Sequence, residues 1–292
     1  MKKEEKSDFS SLFFIFWCMD TPLVSVLICS YNAEKTIRWT LESVLAQTYQ
    51  NFEVLVLDND SHDKTREILE EYQKNDGRVK LFSVGKNLWA YEGINYLLEQ
   101  AKGEFLAIQD HDDVWTPEKL EHQVDFLQKH EEFVACGTGY LEYYSSNQTG
   151  YFITLPEKTN FAWHTSLVFR KTSQRYETSN PYLCDLNFMK QILSEGGDKI
   201  ANLPEIAVLH YNKKHLNNYS FQWAKFSWQN LKRALKLRLL SRFLIDLLPA
   251  NFHSKVDRLI FSVRYGGMKT EKEIKSDSAW KILVGYLEKY GN

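Results

Sequence analysis

Three carboxylates, Asp110, Asp112 and Asp113, fall within four residues directly after the apolar run Phe105-Leu-Ala-Ile108. Their mutual repulsion is costly unless a cation or solvent offsets it. Hard oxygen donors on a loop suit Mg²⁺ or Mn²⁺, which takes one or two carboxylates and fills the rest of its shell with water and phosphate. The alternative is an acidic helix start, because Thr116-Pro-Glu118 opens the next helix and acids favour that end. Later in the chain, Asp185 is the only carboxylate between Glu177 and Glu195, just ahead of an apolar run. Taken by itself, such an acid reads as a helix N-cap. The four cysteines, Cys18, Cys29, Cys136 and Cys184, are widely separated. That spacing indicates neither a zinc site nor a disulfide framework and fits a reducing compartment.

The elements that hold these groups follow from hydrophobic patterning. Leu23 to Ile28, Phe52 to Leu57 and Glu104 to Ile108 are nearly continuous apolar runs of strand length, as expected of buried parallel strands, and Val79 to Val84 is a shorter one. Each long run ends in a polar cluster: Ser30-Tyr-Asn32, Asp58-Asn-Asp-Ser-His-Asp63, and Gln109-Asp-His-Asp-Asp113. Helical spacing is expected over about Glu34 to Thr48, Thr65 to Gln73 and Glu92 to Ala101. Strands alternating with helices predict a doubly wound, mostly parallel α/β sheet, whose ligands bind in the crevice at the carboxyl ends of the strands. The three polar loops should therefore converge on one site. Neither GxGxxG nor GxxxxGK[ST] is present, which argues against a Rossmann dehydrogenase and a P-loop NTPase.

The segments Pro22 to Asn32, Ser43 to Tyr49, Phe52 to Thr65 and Gly103 to Leu120, in that order, resemble the family-2 glycosyltransferases, over about residues 22–215. The resemblance implies a GT-A fold, a nucleotide-diphosphate sugar donor (a UDP- or dTDP-sugar), Mn²⁺ or Mg²⁺, and inversion at the anomeric carbon. It implies donor contacts from Ser30, Tyr31, Asn32, Asp58, Asn59, Asn95, Asp110 and His111. Asp110-His111-Asp112 matches the family's DXD triplet, which puts Asp112 and Asp110 on the metal. Asn59 stands where the family carries an acid, and an amide keeps one acceptor while gaining a donor. Trp89 and Ile94 replace a glycine and an arginine of the family's stretch around Asn87 and Asn95. Asp185 matches the catalytic base, with Cys184 where a second acid often stands. Asn212-Lys213-x-His215 matches a closing element, so His215 is a metal or diphosphate candidate, with a structural role equally open; His210 is a weaker one. Trp163 and His164 precede Thr165 to Arg170, similar to the acceptor-side strand, where Trp163 either stacks on a sugar or joins the core.

The chain has 292 residues, 43% hydrophobic and 25% charged, with a formal net charge of −2. That composition excludes disorder and is enough for a large α/β domain with an appendage. The near-neutral total hides an asymmetry, since residues 213–270 carry twelve Lys or Arg against two acids, leaving residues 9–212 acidic. Phe221 to Leu248 reads as one or two basic amphipathic helices ending at Pro249, and residues 221–264 suit either contact with an anionic membrane surface or capping of the acidic body. No motif supports a nucleic-acid partner. Expected organisation is a leader over 1–21, the transferase domain over 22–215 and a basic helical region over 216–292. The apolar stretch Leu12 to Cys18 is far short of the roughly 20 residues that span a bilayer, so the expected location is cytoplasmic, peripheral on the inner membrane face. The expected function is transfer of a sugar to a glycan or lipid-linked acceptor in bacterial polysaccharide or lipopolysaccharide synthesis. The competing reading is a catalytically degenerate GT-A protein that binds glycans or scaffolds at a membrane.

Overall fold

The computed structural model describes residues 21–145, 148–159, 161–179, 184–196, 199–212 and 275–290. Four parallel strands form the first half of one sheet: β1 (Val24–Ser30), β2 (Phe52–Asp58), β3 (Val79–Ser83) and β4 (Phe105–Ile108), in the order β3-β2-β1-β4. Almost every residue of β1, β2 and β4 is buried, which is why these strands read as unbroken apolar runs rather than alternating ones. Alternate residues serve opposite faces. Val24, Val26, Ile28, Val54 and Val56 belong to one core, whereas Leu27, Leu55, Leu57, Leu106 and Ile108 belong to the other.

Helices cover both faces. On the first lie α1 (Ile37–Leu45), α2 (Thr65–Asn75) and α4 (Lys119–Lys129), and on the second lie α3 (Ala90–Gln100) and α5 (Cys184–Gly196). The α3 helix approaches β1 so closely at Gly93 that a Cβ there would strike the Cys29 sulfur.

The second half of the sheet is mixed, where the sequence led us to expect mostly parallel pairing. It is built from β5 (Val114–Trp115), β6 (Phe133–Tyr144), β7 (Thr149–Ile153), β8 (Lys158–Thr159), β9 (Val168–Arg170) and β10 (Lys199–Asn212). Short β9 runs antiparallel between β4 and β6, and the long β6 and β10 pair in parallel with register shifts in β10. The short connection from β6 to β7 forces that pair antiparallel, whereas β6 reaches β10 through a crossover that contains α5.

The last helix, α6 (Ser278–Tyr290), buries Trp280, Leu283 and Val284 in the first core beside α1 and β10. Trp280 packs on Tyr143 (ring centroids 5.8 Å apart), Tyr143 stacks on Tyr211 (6.1 Å), and Tyr211 lies against Trp39 (5.0 Å). Trp39 Nε1 then donates to the Asp112 carbonyl at 3.3 Å. Residues 213–274, which include the basic stretch 221–264, lie outside the described residues.

Candidate active site

Parallel register sets the site. Ser30 stands opposite Asp58, Asp58 opposite Ser83, and Leu27 opposite Ile108, so the polar loops after β1, β2 and β4 leave the same edge of the sheet. Asn32 joins the first two loops, its N–H donating to Ser61 Oγ (3.1 Å) and its Oδ1 accepting from the His62 N–H (2.8 Å). Tyr31, 41% exposed, offers its ring at this edge.

Several expected donor contacts turn inward. The Ser30 hydroxyl is buried and donates to the Leu57 carbonyl at 3.0 Å. Asp58 is buried, and its Oδ1 accepts from the Ser61 N–H at 3.2 Å. Asn59 Nδ2 donates to Asn87 Oδ1 at 3.1 Å while its Oδ1 accepts from the Leu88 N–H at 2.7 Å. An aspartate could not make the first of these bonds, so the amide acts as a latch on the next loop. Asn95 behaves likewise. Its amide clasps the Tyr176 backbone through Nδ2 to the carbonyl (2.9 Å) and the N–H to Oδ1 (2.7 Å), instead of facing the donor loops.

Trp89 shows what the latch holds. At φ 64°, ψ 168° it occupies backbone space normally reserved for glycine, with its indole 82% exposed. Residues there carry about 1–3 kcal/mol of strain and persist only when their surroundings fix them. Here Asn87 Oδ1, accepting from the Trp89 N–H at 2.7 Å, supplies part of that constraint.

The carboxylate triplet divides into two environments. Asp113 is fully buried, its Oδ1 accepting from the Tyr211 N–H at 3.0 Å and both oxygens lying 3.2 Å from His210 Nδ1. Burial raises its pKa to about 6 against the pull of His210. This carboxylate is a structural clamp between the loop and β10, and His210 is its partner. Asp110 and Asp112 stay within reach of solvent, with side chains 39% and 26% exposed. His111 Nδ1 lies 3.4 Å from Asp112 Oδ1.

Opposite Asp110 stands His164, on a short 3₁₀ turn over His164–Ser166 that is bonded to the acidic loop, β5 and α4. Trp115 Nε1 donates to the Thr165 carbonyl (3.2 Å), Thr165 Oγ1 donates to Gln109 Oε1 (3.2 Å), and Gln123 Nε2 donates to the Ser166 carbonyl (3.0 Å). Gln123 in turn accepts at 2.7 Å from Lys119, a buried lysine whose pKa burial lowers to about 7. His164 Nδ1 comes to 3.5 Å from Asp110 Oδ1, and Nε2 to 3.7 Å from Asp185 Oδ1 and 3.1 Å from the Tyr176 hydroxyl. Tyr91 and Tyr176 stack on each other and meet the imidazole edge-on. Burial disfavours the charged ring, yet Asp185 and Asp110 outweigh it and raise the His164 pKa to about 9. Partial burial pushes the Asp110 pKa up, and His164, His210 and His111 together hold it below the ordinary value.

Asp185 sits in the first turn of α5, and its Oδ1 is buried without a hydrogen-bond partner. His215 and Lys213 lie outside the described residues. The sequence places His164 only ahead of an acceptor-side strand and gives no role to Tyr91 or Tyr176. The sole signal was the position of His164 just ahead of Thr165 to Arg170. Trp163 joins the core, packed on Tyr140 and Phe161.

The described residues hold no group of three or more His, Cys, Asp or Glu able to cage a metal ion. Two partly exposed carboxylates nevertheless suit Mg²⁺ or Mn²⁺ in a site that phosphate oxygens and water complete, and Asp113, already saturated, is not one of them.

The Glycosyl transferase family 2 model matches residues 25–191. The chain belongs to the family-2 glycosyltransferases. An uncharacterized glycosyltransferase of Haemophilus influenzae is 29% identical over 272 residues, 92% of this glycosyltransferase and 76% of that protein. An Escherichia coli protein, UDP-Glc:alpha-D-GlcNAc-diphosphoundecaprenol beta-1,3-glucosyltransferase WfgD, is 44% identical over 111 residues, 38% of this chain and 43% of its own length. The matches to WfgD, EpsE and TuaG thus span between 43% and 56% of those relatives. Residues 1–349 of S. aureus TarS, solved with UDP-GlcNAc, align with a TM-score of 0.56 at 20% identity, over 91% of this chain and 81% of that one. That likeness shows a shared fold. No helix among the described residues is long and apolar enough to cross a membrane.

Proposed function

We propose that this glycosyltransferase moves a sugar from a UDP- or dTDP-sugar, with inversion, to a hydroxyl of a glycan or lipid-linked acceptor in bacterial surface polysaccharide synthesis. The observation that carries the reading is Asp185. Its buried Oδ1 accepts no hydrogen bond, lies 3.7 Å from His164 Nε2 and stands across that ring from Asp110, the first carboxylate of the DXD triplet. An inverting transfer needs a base on the face opposite the leaving group, within reach of the attacking hydroxyl. Asp185 takes the acceptor proton as that oxygen closes on the anomeric carbon, while the nucleoside diphosphate departs on the Asp110 side. Tyr31 and the loop latched by Asn59 border the nucleotide. The names of WfgD, a UDP-glucose enzyme acting on a polyprenyl-diphosphate saccharide, and of TarS with UDP-GlcNAc support a uridine nucleotide. Mn²⁺ or Mg²⁺, held by Asp112 and Asp110 with donor phosphate oxygens, would supply Lewis-acid stabilisation of the diphosphate.

Asp185→Asn tests the base. It should bind UDP as the wild type does yet lose transfer by about 10²–10⁴-fold, the usual worth of general base catalysis. Full transfer in that variant rejects the role, whereas a wild type as inert as the variant would favour the degenerate alternative. For peripheral membrane binding, Lys232, Arg233, Lys236 and Arg238 changed together to Glu should reduce pelleting with anionic liposomes. Substitution is preferable to truncation because α6 is part of the core. Unchanged pelleting refutes the membrane role.

A further inference from the structure

The imidazole of His164 addresses the two halves of the site with different atoms. Nδ1 faces Asp110 at 3.5 Å, and Nε2 faces Asp185 Oδ1 at 3.7 Å with the Tyr176 hydroxyl at 3.1 Å. The ring has little freedom to choose another orientation. Its backbone is pinned by Trp115, Gln109 and Gln123 through the 3₁₀ turn. Tyr176, which fixes Nε2, is itself clasped by both ends of the Asn95 amide from α3. Tyr91, also on α3, meets the ring edge-on. Elements from both halves of the sheet therefore agree on one position for this side chain.

We propose that His164 is a positioning residue that ties the donor-side carboxylate to the acceptor-side base, setting the distance between Asp110 and Asp185 across which the sugar is handed over. The proposal rests on Asp185 being that base. It assigns separate duties to the two nitrogens: Nδ1 orients Asp110 toward the bound donor, and Nε2 with Tyr176 aims Asp185 at the attacking hydroxyl. Errors of about 1 Å in such aim cost on the order of 100-fold in rate. The 3.7 Å gap to Asp185 is longer than a formed hydrogen bond, and contacts of this kind often tighten only once substrate is bound.

Two conservative variants separate the duties. The side-chain amide nitrogen of Asn falls near the place of imidazole Nδ1, and that of Gln near Nε2. The readouts are release of UDP from UDP-glucose and UDP-N-acetylglucosamine with Mn²⁺, calorimetric binding of UDP, and thermal melting. His164→Asn should keep donor KM and UDP affinity within a few-fold of wild type while kcat falls about 100-fold. His164→Gln should do the reverse, raising KM and weakening UDP while retaining more of kcat. Combined with Asp185→Asn, His164→Asn should cause no further loss, because both act through one group. Equal losses in the two variants that track the melting temperature would make His164 merely structural and overturn the proposal. So would losses that multiply in the double variant. Wild-type turnover in Asp185→Asn alone sinks the base assignment and this tie together. An inert Asp185→Asn beside fully active His164 variants rejects the tie and leaves the base standing.

Discussion

Two histidine–aspartate pairs meet one short loop and have opposite characters. Asp113 and His210 form a closed pair: the carboxylate is fully buried and bonded by the Tyr211 N–H besides the imidazole. Asp110, His164 and Asp185 form an open group, with two carboxylates partly exposed and one buried oxygen unpartnered. The residue types are the same, so chemistry alone does not mark the functional pair. What distinguishes it is the hydrogen-bonding capacity left over for a substrate.

The strongest way to break this contrast is to compare rate with stability. Asp185→Asn should lower transfer by about 10²–10⁴-fold at modest cost to the fold, since its Oδ1 accepts no hydrogen bond and loses only the 3.7 Å ion pair with His164. Asp113→Asn should do the converse, lowering unfolding free energy by about 1–3 kcal/mol, as expected when a buried carboxylate that accepts from a backbone N–H and a half-exposed imidazole is altered. Chemical denaturation beside initial rates measures both. If Asp113→Asn is stable but inactive, the closed pair has been misread.

The next effect concerns pH. His164, with carboxylates on both sides, has a pKa raised to about 9. Its contribution is complete below the ordinary value near 6.5 and is lost as pH rises through 9. Lys119, buried with only Gln123 Oε1 to bond, has a pKa lowered to about 7. Its contribution is present above the ordinary value of 10.5 and is lost as pH falls through 7. Relative to wild type, His164→Gln should therefore become less destabilised from pH 6.5 to 9, and Lys119→Met more so. Denaturant midpoints at several pH values reveal the two slopes, and slopes of the same sign would contradict the assignment.

A smaller effect sharpens the picture of the cation. With Asp110 and Asp112 the two partly exposed carboxylates of the loop among the described residues, Mn²⁺ alone should change the melting temperature little, and Mn²⁺ with UDP substantially. A large shift with the metal alone would point to a ligand set beyond these two. The smallest effect is at the rim. Trp89→Gly relieves a strained backbone of about 1–3 kcal/mol and adds about 0.5–1 kcal/mol of chain entropy cost, for a net stabilisation of about 1 kcal/mol. Loss of stability there would mean that the indole is packed after all.

The parallel half of the fold was readable because β1, β2 and β4 are apolar from end to end, a pattern that only strands covered on both faces produce. The long β6 was not. Its run Gly137-Thr-Gly-Tyr-Leu-Glu-Tyr-Tyr144 mixes glycine, polar and aromatic residues, and its burial depends on β7, β9 and β10 arriving from elsewhere. At the site, the DXD loop and Asp185 announced themselves through clustered or isolated carboxylates. His164 did not, because its meaning lies in contacts with residues remote in the chain, which no local pattern encodes. The sequence resemblance likewise gave Asn59 and Asn95 to the donor. Only the three-dimensional arrangement shows their amides holding the chain itself, Asn59 the loop at residues 87–88 and Asn95 the backbone of Tyr176.

The aromatic row from Trp280 through Tyr143 and Tyr211 to Trp39 ends on the Asp112 carbonyl. During translation the acidic loop emerges long before its support does, so the nascent protein holds Asp110, Asp112 and Asp113 without the brace behind them. Competence arrives late: a ribosome that stalls before about residue 278 yields a chain whose acidic loop lacks its backing, and a tag spliced into the final helix would loosen that loop from the far side of the molecule.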